Sequence, residues 1–350
     1  MLSTFIIIYC VQLIVVISLL IGSTKSKSVK NLQTSDKTSV IIPFKNEINR
    51  ILPLLNSINK SASKHKNTTL FSNFQFIFID DNSSDDTYQF IIDNLDISFQ
   101  IYRLNNTTGK KYAIKKGVEL AIYKRILTLD ADVRFDVDYV LHISKTECKG
   151  LTILPVEMFG KTLLQKLFSV EFWFLQRITF GLAGFKIYKL CNGANLLFTK
   201  SAYFQTLKIR NDESIASGDD MFLLKAVNEL QLPIQASYKK ELTVKTPSVI
   251  SIKELLNQRV RWSSKSKSVY SFIAGFLVLS LNLIFCISVF LILQGNFYFF
   301  IPFSIKLLSE LISIRDLSKS ITVVLHQFYY PVYLIILVIK MMFDKNINWR

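Results

Sequence analysis

The distribution of apolar residues along the chain gives a polar middle part bounded by hydrophobic ends. Residues 5–21 are apolar except for Tyr, Gln and Ser at single positions, and no Lys or Arg precedes this run, whereas Lys25 and Lys27 follow it. This length and this order of charges predict an uncleaved transmembrane anchor over residues 1–22, with the next part of the chain in the cytoplasm. A Ser- and Lys-rich linker is expected over residues 23–37.

From residue 38 onward, short apolar segments alternate with segments of helical periodicity, which is typical of an α/β domain with a parallel sheet. The predicted strands cover residues 39–43, 74–79, 99–104 and 125–129. The predicted helices cover residues 47–58, 109–121, 161–180, 221–230 and 251–262, and the 161–180 helix is amphipathic. We therefore expect one cytoplasmic domain over residues 38–268.

Three apolar stretches follow, over residues 272–293, 297–314 and 321–342. The middle stretch contains Lys306 and Glu310, which are costly in lipid unless they pair, and their separation of four residues allows pairing on one helix. We expect a C-terminal membrane region over residues 269–350 with two or three transmembrane helices.

Two of the predicted strands end in paired acids, at Asp80/Asp81 and at Asp130/Asp132. In an open α/β sheet the carboxyl ends of the strands share one crevice, where ligands bind. Carboxylate oxygens suit Mg²⁺ or Mn²⁺ held together with a diphosphate. Helix capping explains Asp80 and Asp81 equally well when they are taken alone. Two repelling acidic pairs in one crevice indicate a cation or a hydrogen-bonded ligand between them.

Three further segments have candidate chemistry. Small residues at 191–195, including Gly193, predict a break in a strand where a ligand or another backbone comes close. Asp219 and Asp220 precede a helix, so they are either caps or site residues. The 251–262 helix ends in a Q-x-x-R-W sequence.

The charge balance and the cysteines limit the partners. Lys and Arg number 42 against 26 Asp and Glu, a net charge of +16, which suits nucleic acid, anionic lipid or a phosphorylated ligand. The flanking hydrophobic ends favour a cytoplasmic surface held against anionic headgroups. No aromatic-basic recognition motif is present, so we expect no nucleic-acid partner. The four cysteines lack a CxxC spacing, which indicates neither a zinc site nor a disulfide framework.

Five elements occur in the same order as in a known enzyme family. The chain resembles the membrane-anchored inverting glycosyltransferases of family 2, which have a GT-A nucleotide-sugar-binding (Rossmann-like) domain. The elements are Val40-Ile-Ile-Pro43 through Asn46-Glu47, Asp80-Asp81-x-Ser83, Asp130-x-Asp132, Gly218-Asp219-Asp220 and Gln258-Arg259-x-Arg261-Trp262. The family's third acidic element more often reads Glu-Asp, so two adjacent aspartates are a departure.

The resemblance implies a role for each matching residue. Residues that bind the donor nucleotide would be Pro43, Glu47, Asp81, Lys110 and Asp130. Asp132 would bind Mn²⁺ or Mg²⁺, and Gln258 and Arg261 would hold the diphosphate. Asp220 would be the general base, with Asp219 as the alternative base, and Trp262, Asp219 and Gly193 would lie on the acceptor or sugar side. For Arg259 the residue type alone predicts only a solvated basic side chain.

The function implied is transfer of a sugar, with inversion, from a nucleotide-sugar donor, expected to be UDP-linked, to a membrane-associated lipid or glycan acceptor. The enzyme would be integral to the cell (inner) membrane, with its catalytic domain facing the cytoplasm. Processive polysaccharide synthesis is an alternative activity, although the synthases that carry it out usually have more membrane segments. A non-catalytic membrane scaffold with a degenerate nucleotide-binding domain is another alternative, against which the retained acids argue.

Overall fold

A seven-stranded sheet contains the predicted strands, four of which run parallel at one side. The computed structural model describes residues 2–26, 36–105, 107–210, 218–263, 283–314 and 320–343. The parallel strands are β1 (Thr38–Phe44), β2 (Phe74–Asp80), β3 (Gln100–Arg103) and β4 (Arg125–Leu129). β1 and β4 are buried along their whole length, which explains why they read as continuous apolar runs rather than as alternating ones.

Helices cover this parallel part and confirm the alternation of strand and helix. They are α2 (Leu52–Lys64), α3 (Thr87–Asn94) and α4 (Lys110–Leu120). Gly117 lets α4 approach β1, since a Cβ there would lie 2.4 Å from Cγ2 of Ile41. α2 begins five residues later than predicted because Pro53 lies in its first turn, where proline is favoured.

The rest of the sheet is mixed, with strands β6 (Leu151–Ile153), β8 (Asn195–Thr199) and β9 (Ile234–Ala236). The helices in this part of the chain are α5 (Tyr139–Ser144), α6 (Leu163–Ala183), α7 (Lys200–Leu207) and α8 (Asp219–Glu229). β8 runs antiparallel between β4 and β6, and the strand order is β3-β2-β1-β4-β8-β6-β9. A smaller sheet has the order β5-β10-β7, with β5 (Arg134–Phe135), β7 (Val156–Phe159) and β10 (Val244–Pro247). The predicted strand break at 191–195 is wrong: residues 191–194 lead into β8 through a turn at 193–194, and residue 195 begins that strand.

The contacts divide the chain into two compact units. The sheet unit comprises Gly22–Met158 and Thr179–Pro247. The helical unit comprises the described residues of Met1–Ile21, Phe159–Ile178 and Ser248–Ile347. Its further helices are α9 (Ile252–Ser263), α10 (Leu283–Leu293), α11 (Phe300–Ile314) and α12 (Ser320–Phe343), and α1 (Leu2–Lys25) extends from it into the sheet unit.

Two helices are long and apolar enough to cross a membrane, judged by length and composition: α1, and α12 over Ser320–Met341. α11 has 15 residues, fewer than the roughly 20 that a span needs. The predicted pairing of Lys306 with Glu310 is confirmed at 2.9 Å, and Gln327 of α12 bonds with both side chains. Most of the predicted linker and residues 272–282 of the first C-terminal stretch lie outside the described residues.

Candidate active site

Acidic side chains follow β2 and β4, on either side of β1. Phe44 at the end of β1 pairs with Asp80 of β2, and the Phe44 carbonyl accepts the amide of Asp81 at 2.9 Å. β4 pairs with the other edge of β1 and runs directly into Asp130. The register therefore brings both acidic strand ends to one edge of the sheet, as predicted from the sequence.

Asp80 and Asp81 are both fully buried, but their side chains have different partners. Asp80 accepts from the Ser83 amide at 2.8 Å and from Nε of Arg103 at 2.6 Å, which fixes the turn after β2. Oδ1 of Asp81 accepts from the Gly109 amide at 2.6 Å. Neither acid caps α3, which begins at Thr87, so the capping alternative is wrong.

The second oxygen of Asp81 remains available to a ligand. Oδ2 lies 3.7 Å from Nζ of Lys45, and among the described residues it makes no hydrogen bond. A buried carboxylate oxygen without a hydrogen bond is costly. This atom is therefore a ready acceptor for a polar group that enters the crevice. Nothing in the sequence pattern had drawn attention to Lys45.

The start of α4 joins the two acidic strand ends. Gly109 has φ of +119°, a left-handed conformation that glycine adopts without steric cost, and it gives its amide to Asp81. The next residue, Lys110, forms an ion pair with Asp130. Burial acts to lower the pKa of Lys110, but the carboxylates of Asp130, Asp220 and Asp132 outweigh it and raise the pKa above its usual value. One ammonium group therefore lies within electrostatic reach of three carboxylates.

Asp132 is the acid best suited to a cation. Its Oδ1 lies 3.5 Å from Oγ1 of Thr246 on β10. Burial, followed by the neighbouring carboxylate of Asp130, raises the pKa of Asp132 from 3.8 to about 6. A divalent cation would offset both causes.

Among the described residues, no group of three or more His, Cys, Asp or Glu side chains could hold a metal by itself. Mg²⁺ and Mn²⁺ bound with a nucleotide commonly use one or two carboxylates and complete their coordination with phosphate oxygens and water. The hard oxygens of Asp132 and Asp130 fit that mode of binding.

Glu47 lies close to this acidic group. Its Oε1 accepts from the Arg50 guanidinium at 2.8 Å, whereas its buried Oε2 makes no hydrogen bond in the part of the chain that is described. Burial raises the pKa of Glu47 to about 7, with Asp132 and Asp130 adding to the rise and Arg50 opposing it. Pro43 is a buried strand residue of β1, paired with Ile79 of β2.

The first turn of α8 brings Asp219 and Asp220 to different partners. Oδ2 of Asp220 accepts from the Gly193 amide at 2.9 Å. A Cβ at Gly193 would lie 3.3 Å from Cβ of Asp220, so the group that approaches Gly193 is a side chain, and the approach of a ligand or another backbone stays a prediction. Asp219 is buried and forms an ion pair with Arg210, a partner that the sequence did not indicate.

The Q-x-x-R-W residues lie in the helical unit, on α9. Arg259 is only 5% exposed, and its Nε and one terminal nitrogen each lie 3.1 Å from a carboxylate oxygen of Glu171 on α6. The expectation that Arg259 is solvated is therefore wrong. Its remaining nitrogen donates to Oε1 of Gln258 at 2.7 Å, and its Cζ lies 4.2 Å from the ring centre of Trp262. Arg261 is half-buried.

The sheet unit thus brings together Glu47, Asp81, Lys110, Asp130, Asp132 and Asp220. Gln258, Arg261 and Trp262 belong to the other unit, and their role at the donor diphosphate stays a prediction.

Comparison with known proteins gives a family match for part of the chain. Residues 39–146 match the sequence model of the family described as "Glycosyl transferase family 2". This segment contains the ends of β1, β2 and β4 with Asp81, Asp130 and Asp132, and it ends before α8. No curated protein matches the chain.

Solved structures share the fold. The mannosyltransferase PcManGT from Pyrobaculum calidifontis, in complex with GDP-Man and Mn²⁺, aligns with a TM-score of 0.50 at 12% identity, covering 99% of this chain and 100% of that one. S. aureus TarS (residues 1–349) aligns at 17% identity over 69% of each chain, with a TM-score of 0.40. Glucosyl-3-phosphoglycerate synthase from Mycobacterium tuberculosis aligns at 16% identity over 66% of this chain and 80% of that one, also with a TM-score of 0.40.

The mixed α/β sheet is that of a GT-A glycosyltransferase, as the sequence predicted. Together with the match of residues 39–146 to the family 2 model, this fold supports a glycosyltransferase.

Proposed function

We propose that this protein transfers a sugar, with inversion and with a divalent cation, from a nucleoside-diphosphate donor to a hydroxyl of a membrane-associated lipid or glycan acceptor. Sequence resemblance favours a UDP-linked donor. The alternative of a degenerate, non-catalytic domain is disfavoured because each acidic element keeps a carboxylate, at the sheet edge for Asp81, Asp130 and Asp132 and in the first turn of α8 for Asp220.

One observation carries the proposal: the ammonium of Lys110 pairs with Asp130 and lies within electrostatic reach of Asp132, which like Asp130 follows β4, and of Asp220 in the first turn of α8. Such a concentration of acids, on which Lys110 and Arg50 are the cations that act, is unfavourable unless a further positive charge enters. A divalent cation bound with a diphosphate supplies that charge together with phosphate oxygens. Oδ2 of Asp81, which makes no hydrogen bond among the described residues, lies at the same sheet edge and accepts from the donor's base, while Asp130 serves the ribose side.

In this mechanism Asp220 removes the proton from the acceptor hydroxyl. The acceptor oxygen then bonds to the anomeric carbon as the bond from that carbon to the diphosphate oxygen breaks, and the nucleoside diphosphate leaves with the electron pair. Attack from the face opposite the leaving group inverts the anomeric centre. The amides of Gly193 and Met221 orient the Asp220 carboxylate through bonds of 2.9 Å each, so the base is fixed before the acceptor binds.

The leaving group develops negative charge on its phosphate oxygens. A divalent cation held by Asp132, when bound, stabilises that charge more in the transition state than in the ground state. Gln258 and Arg261 are proposed to contact the same diphosphate through an amide and a guanidinium. Trp262 is proposed to stack on the apolar face of a sugar ring.

Membrane attachment completes the proposal. α1 and α12 are the described helices of spanning length, and Lys25 at the end of α1 favours the cytoplasm for the residues that follow. A membrane-bound acceptor and a cytoplasmic nucleotide sugar can then meet at the same site.

The test is release of nucleoside diphosphate by the detergent-solubilised full chain, over a panel of nucleotide sugars with Mn²⁺, Mg²⁺ or EDTA. Slow hydrolysis of the donor gives a signal even without the acceptor. We expect release from one donor, lost with EDTA and in Asp132→Ala. The matched control is Asp93→Ala, which removes an exposed acid of α3 and keeps the activity. No release from any donor, even after membrane lipid extract is added, would reject the function.

A further inference from the structure

The last turn of α1 lies against the end of α6 within the sheet unit. A Cβ on Gly184 would lie 1.9 Å from the carbonyl oxygen of Gly22, and a Cβ on Gly22 would lie 2.0 Å from the carbonyl oxygen of Gly181. The two backbones are therefore in direct contact, and no larger residue fits at these glycines. The segment after α6 is therefore held at the end of α1.

This segment is a tight turn, Phe185–Ile187, which we call the 185–187 turn. The amides of Phe185 and Ile187 both donate to the Leu182 carbonyl, at 2.9 and 3.0 Å. Between them Lys186 has φ of +61°, a conformation in which glycine or asparagine is usual. Phe185 is 44% exposed and Ile187 is 43% exposed. The turn thus presents two large apolar side chains with a lysine between them.

Basic side chains surround this turn. Nζ of Lys25 lies 5.1 Å from the ring centre of Phe185, and Lys186 and Lys189 are both exposed. The segment that contains Tyr238 also lies beside the end of α1, because the Tyr238 amide donates to the Ser26 carbonyl at 3.3 Å. Two residues further along the chain, Lys240 and Glu241 are exposed side by side. The acid offsets one of these lysines, and the surface keeps a clear positive charge.

Isolated exposed apolar residues are common on soluble proteins, so the position of this turn decides its meaning. α1 has 24 residues, or about 36 Å at 1.5 Å per residue, which exceeds the roughly 30 Å of a hydrocarbon core. The last turn of a spanning α1 therefore emerges among the lipid headgroups. Aromatic and apolar side chains with flanking lysines are favoured at that depth on an anionic leaflet.

We infer that the 185–187 turn, with Lys25, Lys186 and Lys189, docks into the anionic headgroup layer of the bilayer that α1 spans. The inference rests on the membrane anchoring proposed above. Docking fixes the sheet unit at the bilayer surface through two apolar side chains in addition to the helix itself, and it favours bilayers that contain anionic lipid.

The test is the depth of a tryptophan placed at the turn. The full chain, with Trp173, Trp262 and Trp349 changed to Phe, is reconstituted in bilayers of phosphatidylcholine and phosphatidylglycerol. Phe185→Trp is compared with Ile122→Trp, an exposed apolar position (69%) elsewhere on the sheet unit, and with Ile7→Trp on α1 (63% exposed). Quenching is measured with lipid brominated near the headgroup, with lipid brominated near the chain ends, and with aqueous iodide. Circular dichroism and elution volume establish that each variant is folded.

We expect headgroup-proximal bromine to quench Phe185→Trp more than deep bromine does. Its iodide quenching constant should be at least about threefold below that of Ile122→Trp, since the headgroup layer shields the ring. In phosphatidylcholine alone, or with Lys25, Lys186 and Lys189 changed to Gln, iodide quenching of Phe185→Trp should rise towards the Ile122→Trp value.

Two results overturn the inference, and they differ in what else they affect. If bromolipid quenches Ile7→Trp but not Phe185→Trp, the anchor stands and the docking surface fails, whether the turn faces water or is covered by another part of the protein. If bromolipid quenches neither, the proposed membrane anchoring fails and the docking surface fails with it. Quenching does not depend on donor turnover, so neither result bears on the proposed chemistry.

Discussion

The guanidinium of Arg259 on α9 forms a buried ion pair with the carboxylate of Glu171 on α6. Two of its nitrogens donate, each to a different carboxylate oxygen, at 3.1 Å. The third guanidinium nitrogen holds Oε1 of Gln258. Because the side-chain oxygen of Gln258 accepts this bond, the N–H groups of the same amide point away from Arg259. Those N–H groups are the ones that can donate to a phosphate. We therefore expect Arg259 to act as a positioning residue for Gln258, should Gln258 contact the donor diphosphate as proposed.

Loss of Glu171 should be severe. Glu171→Gln leaves the buried charge of Arg259 without its partner, and breaking such a pair typically costs about 3–5 kcal/mol of folding free energy. We expect a correspondingly lower thermal midpoint in detergent. An unchanged midpoint would mean that water or another group already compensates Arg259.

Removing both partners distinguishes folding from positioning. The double variant Glu171→Met/Arg259→Met replaces the pair with apolar groups, which is often neutral for stability. It should regain most of the lost stability and still turn over slowly, because Gln258 is no longer oriented. Full activity in this stable double variant would contradict the positioning role.

Substitution of the proposed base should separate chemistry from binding. Asp220→Asn keeps the size of the side chain but cannot accept a proton, so we expect sugar transfer to fall by about 10²–10⁴-fold. Binding of the nucleoside diphosphate with Mn²⁺, measured by calorimetry, should change little. Full turnover in this variant would reject Asp220 as the base.

The neighbouring acid provides the comparison. Asp219→Asn weakens a buried ion pair with Arg210 and should lower the thermal midpoint more than Asp220→Asn does. Turnover by the folded fraction should stay closer to that of the unchanged protein. The opposite ranking of the two variants would move the general base to Asp219.

Cation binding should depend on pH through Asp132. Its carboxyl group has a pKa of about 6 in the free protein, and a metal ligand must be deprotonated. Affinity for Mn²⁺ with UDP should therefore be level above about pH 7 and roughly tenfold weaker at about pH 5. Asp130→Asn removes a neighbouring charge that raises this pKa, so the midpoint should move to lower pH. Calorimetry across this range gives both midpoints, and a flat profile would exclude Asp132 as a ligand.

Glu47 should destabilise the cation-free protein at neutral and higher pH. Its pKa is about 7 in the fold against an ordinary 4.5, so the folded state holds the proton more tightly than the unfolded state. The contribution of Glu47 to stability is therefore largest below about pH 4.5 and falls as the pH rises to about 7, by on the order of 2–3 kcal/mol. Glu47→Gln abolishes this fall.

The measurement is denaturant unfolding without metal at about pH 8 and about pH 5. Glu47→Gln should be the more stable protein at the higher pH and nearly equal to the unchanged protein at the lower pH, where most of the carboxyl is neutral anyway. An equal gain in unfolding free energy at both pH values would mean that loss of the Glu47 charge is not the cause of the higher stability.

The features predicted correctly from the sequence depend on local pattern. An apolar run that ends in acids indicates a buried parallel strand and the loop after it, and the whole pattern lies within ten residues. The positions of Asp81, Asp130 and Asp132 at one edge of the sheet could therefore be predicted. Gly193 was singled out because small residues cluster there, but that pattern did not indicate that the neighbour would be the Asp220 side chain.

The features that were wrong or missed depend on distant partners. Arg259 looks solvated on its own helix because Glu171 precedes it by 88 residues. Asp219 and Asp220 look equivalent until Arg210 pairs with one of them and Gly193 with the other. The late start of α2 follows from Pro53 together with tertiary bonds, such as that from the Glu47 amide to Oγ1 of Thr87 at 2.8 Å, which apolar periodicity does not reveal.

β4 has a parallel neighbour, β1, on one side and an antiparallel neighbour, β8, on the other. The acids proposed for the donor come from the parallel side and lie within residues 39–146, whereas Gly193 and Asp220 come from chain beyond the antiparallel side. On the proposed function, the acids that bind the nucleoside and the cation and the base that acts on the acceptor hydroxyl are encoded in separate stretches of the gene. Descendants of this protein can therefore acquire new acceptors by changes after residue 146 that spare Gln258 and Arg261, while they inherit the old donor site intact.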